Sequence, residues 1–242
     1  MPDGSDTPAI VRNVLLAHPA PHALLQIWLS PAFPVGAFAY SHGLEKAAEF
    51  GWVRDRATLE PWLADLIVHG GLRNDLILLA RAWTAIVAGD DKALAEAAEL
   101  SVAFQPSAER HLETTQQGRS FLSQISTAWP CEAVATLASA APSGVGYSVA
   151  VGVVAAGHAI PLAPTLSAYG LAYIGNLVAA AIRLSVIGQT DGQRIIAALL
   201  PAIEDAALVA ATATLDDLGG AAFRSDIASL AHETQYTRLF RS

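Results

Sequence analysis

Between Glu132 and Arg183 lie 50 residues without a single Asp, Glu, Lys or Arg. Tyrosines aside, His158 is the only titratable side chain among them. A run of that length cannot build surface helices with charged faces, so it must be largely buried, in protein or in lipid. A bilayer-spanning helix needs about 20 mainly apolar residues, and length alone would allow two. Pro161 and Pro164 cut the run, however, and it is built of Ala, Gly and Ser rather than Leu, Ile and Phe. Its last stretch, Leu166 to Ile182, includes Asn176 and has only 17 residues. Central helices of a soluble bundle, with small residues permitting close approach, are therefore expected. A small membrane protein is the alternative.

The rest of the composition excludes other classes. Hydrophobic residues make up 53% of the 242 and charged ones 15%, so the chain is not broadly disordered. A single cysteine, Cys131, rules out an internal disulfide framework. The net charge of −8 argues against nucleic-acid binding. Met1 to Thr7 is polar and acidic, without the basic and apolar regions of a signal peptide, and a cytoplasmic location is expected.

Helical periodicity dominates. Leu59, Trp62, Leu63, Leu66 and Ile67 draw one apolar stripe, with Pro61 placed in a first turn, and Gly70-Gly71 marks a stop or kink. A helix from Leu72 to Ala88 should end at Gly89, and Asp90 or Asp91 should cap the next one towards Phe104. Ser107 to Ile125 carries Glu109, Arg110, His111, Glu113, Gln116, Gln117 and Arg119. It reads as a helix with a solvated face or, more sharply, as a partner-facing helix. Thr190 and Gln193 have capping-box spacing before the stripe Ile195, Ile196, Leu199, Leu200 and Ile203, and Pro201 predicts a kink or break. Val145 to Val153 alternates like a strand, but no second segment offers it a partner, so context makes it helix. The expected architecture is a single all-α domain of roughly ten helices over residues 23–230. A flexible tail (1–22) would precede it and a docking segment (231–242) would follow.

Catalytic patterns are missing. There is no Cys-x-x-Cys, His-x-His or His-Glu-x-x-His, no phosphate-binding Gly-rich loop and no Gly-x-Ser-x-Gly elbow. His18 and His22 are four apart but flanked by Pro19 and Pro21, which speaks against a helical metal pair. No resident metal or nucleotide is expected. Specific information gathers elsewhere. Residues 30–45 bring prolines, Phe33, Phe38, Tyr40, Ser41, His42 and Glu45 into a helix entry. The last eleven residues hold His232, Glu233, Tyr236, Arg238, Phe240 and Arg241, and aromatics and arginines are enriched in interface hot spots. Arginine outnumbers lysine 12 to 2, and its planar fork suits interface carboxylates and carbonyls.

Three blocks of this sequence resemble the UreF family of urease accessory proteins. They are Ser30-Pro31 through Gly43-Leu44-Glu45, Arg183-Leu184 through Gly188-Gln189-Thr190-Asp191-Gly192-Gln193, and His232 through Ser242. A shorter match runs from Glu109 through Gln117-Gly118-Arg119, and the resemblance spans roughly Leu24 to Ser242.

The resemblance implies an all-α cytoplasmic protein without catalysis of its own. It would bind UreD (also called UreH), recruit the GTPase UreG, and help load nickel into apo-urease. Nickel and GTP would be handled by the complex, and the chain could dimerise within it. Tyr236, Arg238, Phe240 and Arg241 would order on the partner, with Arg238 helping to recruit the GTPase. Phe38, Tyr40, Ser41, His42 and Glu45 would form a polar patch beside that interface, although Phe38 and Tyr40 also suit a core. Arg119, Gln189, Asp191, His232 and Glu233 are further partner-binding candidates, as is Arg183, which could equally be an internal structural pair. Two alternatives stand beside scaffolding. One is regulation of GTP hydrolysis, with Arg238 or Arg119 as an arginine finger. The other is a nickel carrier, which the scattered histidines favour less.

Overall fold

In the computed structural model, which describes residues 21–242, the charge-free run forms most of one short, half-exposed helix, a second helix buried on every side and most of a third. Eleven α-helices are described: α1 (Pro21–Trp28), α2 (Leu44–Glu49), α3 (Arg56–His69), α4 (Gly71–Ala88), α5 (Asp91–Ala103), α6 (Ala108–Ala128), α7 (Glu132–Ala140), α8 (Tyr147–Gly157), α9 (Leu162–Arg183), α10 (Gln189–Thr212) and α11 (Phe223–His232). They form one all-α bundle around a continuous core. The expected tail lies outside the described residues except at its end, where α1 already begins at Pro21.

α8 explains the strand-like alternation. Every residue from Ser148 to Ala155 is buried, so no face-to-face contrast remains for a 3.6-residue period to express. Its first amides are met by side chains from neighbouring helices: Gly146 N–H donates to Ser101 Oγ at 2.8 Å, and Tyr147 N–H to Thr114 Oγ1 at 3.0 Å. The small residues allow contact with α4. Gly152 faces the Leu79 carbonyl so closely that a Cβ would collide with it. On the other side Trp28 meets Phe121 edge-on at 6.3 Å and His158 at 5.1 Å. α9 and α10 are long and apolar enough to cross a membrane by length and composition, and half of the apolar window of α9 is buried inside the protein.

Most helix ends follow the sequence. Gly89 closes α4 in the left-handed region (φ 66°), and Asp90 caps α5 through the Ala93 amide. Several details differ. Asp55 caps α3 in a reciprocal box with Thr58, so α3 starts earlier than the stripe implied and Pro61 is its sixth residue rather than part of the first turn. Gly188, not Thr190, precedes α10, which places Thr190 inside the helix. Pro201 does not break α10. It lies on the exposed side with Ala197, whose freed carbonyl can be hydrated there.

A strap anchored over a buried ionic centre

The polar residues of α6 divide: His111 and Arg119 face solvent as expected, whereas Arg110, Glu113 and Gln117 turn inward. Ser107 caps the helix through the Arg110 amide, and Arg110, Glu113, Thr114, Gln117, Gly118, Phe121 and Ile125 then form one buried stripe. Its first half is polar because it meets His42, which stands at the end of an unusual turn. His42 (φ 55°) and Gly43 (φ 75°) are both left-handed. Such a backbone costs a non-glycine residue roughly 1–2 kcal/mol. At Gly43 a Cβ would sit 2.6 Å from the Ser229 nitrogen of α11, so glycine lets the two elements touch. The turn carries the His42 ring into the interior, edge-on to Tyr173 at 4.8 Å.

His42 Nε2 donates to Glu113 Oε1 at 2.8 Å, Gln117 Nε2 donates to the same oxygen at 2.9 Å, and Arg110 pairs with Oε2. Burial alone would raise the Glu113 carboxyl, but the Arg110 charge, helped by His42, overrides it and holds the group at about 2. For His42, burial and Arg110 together push the imidazole below its ordinary value, against the pull of Glu113. Asp75 of α4 shares this interior. Burial pushes its carboxyl up to about 6, against Arg110 and the Tyr169 hydroxyl that donates to it at 3.0 Å. These groups floor a cavity of about 640 Å³ walled by apolar residues of α1, α9 and the loop before α2.

The closing segment passes over the same centre and is tied to it. Leu239 and Phe240 donate their backbone N–H groups to the two oxygens of the Glu45 carboxylate, at 2.7 and 2.9 Å. Ser41 N–H donates to the Ser242 carbonyl at 2.8 Å, Arg241 N–H to the Ala39 carbonyl at 2.8 Å, and Ser242 Oγ to Glu113 at 3.0 Å. Between Glu109 (2.6 Å) and Glu45 (3.4 Å) lies the buried ring of His232. Arg238 pairs with Glu109 at 2.6 Å, and Glu233 accepts the Ala108 amide at the start of α6. The Arg183 guanidinium lies 3.6 Å from the Phe38 ring and 4.4 Å from that of Phe240, and donates to the Phe38 carbonyl.

The candidates therefore separate. Ser41, His42, Glu45, Tyr40, His232 and Phe240 are buried rather than a surface patch, and the chain's own body orders the segment. Tyr40 donates to Gln116 at 2.7 Å. Arg183 is half-buried, and its partners are aromatic rings and the Phe38 and Ala179 carbonyls, with no carboxylate among the described residues. Phe38, Leu239 and Tyr236 point outward, and Tyr236 is fully exposed. Arg119 is exposed on α6, and Gln189 and Asp191 begin α10, where Asp191 pairs with Arg194 at 3.0 Å; none of the three joins the strap through a hydrogen bond or ion pair. Asp75, Tyr169 and Tyr173 carried no motif, and Glu109, Arg110, Glu113 and Gln117, noted as part of a polar helix face, join the centre as well. The signal for α6 lay in the sequence: Arg110, Glu113, Gln117, Phe121 and Ile125 keep one helical register. Among the described residues, no three His, Cys, Asp or Glu side chains group as a metal site requires.

The UreF family model matches residues 53–200, which run from the turn before α3 into α10. The chain belongs to the UreF family. A urease accessory protein UreF of Methylobacterium radiotolerans is 53% identical over 218 residues, covering 90% of this chain and 95% of that protein. That of Xanthobacter autotrophicus is 54% identical over 225 residues, covering 92% and 93%. A Rhodopseudomonas palustris UreF is 53% identical over 218 residues, covering 90% of this chain and 92% of that protein. The matched stretches reach beyond the family model and are long enough to take in most of the helices described above.

Proposed function

We propose that this UreF protein is a non-catalytic, cytoplasmic scaffold of urease maturation. It binds UreD/UreH, recruits the GTPase UreG and so supports nickel loading of apo-urease, with nickel and GTP handled by the assembly. One observation carries the reading. The strap is held by buried atoms of Glu45, Ser41 and Glu113, while Phe38, Tyr236 and Leu239 remain outside. An interface element already fixed in place binds without the ordering cost of a free tail, and exposed aromatics on a rigid support are typical anchors.

Arginine-finger regulation fits less well through Arg238 than through Arg119, which is exposed on α6. Arg238 is engaged by Glu109 at 2.6 Å and would have to leave that pair to reach a nucleotide. The scaffold reading is tested by co-purifying the protein with UreD and UreG, followed by urease activation with nickel and bicarbonate. It expects a stable complex and activation that depends on this chain. Activation that proceeds equally without it overturns the reading.

A further inference from the structure

The 640 Å³ cavity is lined by one buried acceptor that the fold leaves unpaired, His42 Nδ1, and by the Asp75 carboxylate. Arg110 is engaged by Glu113. Asp75 forms no ion pair among the described residues; it accepts the Tyr169 hydroxyl. His42 turns Nε2 towards the Glu113 carboxylate, so that nitrogen carries the proton and Nδ1 presents a lone pair. That Nδ1 is buried and has no hydrogen-bond partner. A buried acceptor left unpaired is costly, and the cation that acts on the Asp75 carboxylate, Arg110, is already paired with Glu113. What completes this floor is a donor, and one of positive charge.

The walls specify what carries it. The same cavity is lined by Leu25, Leu29, Phe33, Ala168 and Ala172, and by Phe38 and Leu171, which are exposed. An apolar stem ending in a compact group with several donors matches both levels. An ammonium carries three donors that can be divided between separate acceptors lining one cavity, whereas a planar guanidinium suits one coplanar acceptor pair. The volume exceeds what a single unbranched chain fills, so apolar neighbours of the same segment must enter with it. We propose that this cavity is a socket for a lysine side chain presented by an apolar segment of a protein partner. The identity of the bearer rests on the scaffold reading above; the chemistry of the socket does not.

The test is calorimetric titration of the whole protein with n-hexylammonium, hexanol and hexanoate at neutral pH. The expected result is that hexylammonium binds at least ~10-fold more tightly than hexanol, the scale of one charged hydrogen bond, and that hexanoate does not compete. Asp75→Asn should erase that preference. Should the variant fold poorly, the three-probe series on the unaltered protein decides alone. Equal binding of hexanol, or no binding of any probe, overturns the proposal. Saturating hexylammonium should also weaken capture of UreD. If the amine binds but capture is unaffected, the socket does not receive a partner lysine and the proposal falls while the scaffold stands. If UreD is never captured, the scaffold reading fails and the titration still decides the floor chemistry.

Discussion

Glu45 holds Phe240 by the backbone: its carboxylate accepts the Phe240 N–H at 2.9 Å and the Leu239 N–H at 2.7 Å, across about 195 positions of sequence. A carboxylate at the start of one short helix thus fixes the far end of the chain. Charge-assisted bonds to backbone amides are roughly twice as strong as neutral ones.

Glu45→Gln removes the charge and places amide hydrogens against those donors. The strap should loosen locally, by about 1–3 kcal/mol, without unfolding the bundle. Hydrogen exchange checks this: Leu239 and Phe240 amides should lose protection while those of α4 and α8 keep it.

Glu113→Gln should be far more damaging, because it leaves the Arg110 guanidinium buried without a counter-charge. Breaking one side of a buried pair costs about 3–5 kcal/mol. The double variant Arg110→Met, Glu113→Gln should recover part of that loss in a denaturant titration. The folded carboxyl sits at about 2, below its unfolded value, so the stability it contributes is present above the unfolded value and is lost as pH falls towards 2.

Asp75 works in the opposite direction. Its folded value of about 6 exceeds the unfolded one, so its contribution is favourable in acid and is lost as pH rises through 6. Asp75→Asn keeps an acceptor for Tyr169 and removes the buried charge. At pH 7.5 it should stabilise the isolated protein by up to about 3 kcal/mol, and the gain should vanish near pH 4. Thermal unfolding at the two pH values reads the difference.

Much of the fold was legible because amphipathic helices announce their buried face. Leu59, Leu63, Leu66 and Ile67 are buried as their spacing required, with Trp62 of the same stripe half-buried, and the charge-free run supplies the buried α8 and the buried side of α9. Legibility failed where burial was polar. Arg110, Glu113 and Gln117 looked solvated because residue type alone does not reveal that His42 and Ser242 arrive from remote parts of the chain to meet them. The same holds for the strap: its residues stood out, but the buried anchors Glu45 and Ser41 are tied to it only through tertiary structure. Thr190 misled because a capping pattern recurs by chance inside helices.

The central claim is that the strap is a preformed docking element. Tyr236 and Leu239 offer the direct test, since their side chains are exposed while the backbone remains anchored. The double variant Tyr236→Ala, Leu239→Ala should unfold within a degree or two of the unaltered protein. In a UreD co-purification it should fail to capture its partner, and urease activation should fall with it. Capture and activation at the unaltered level, with the fold intact, would contradict the account.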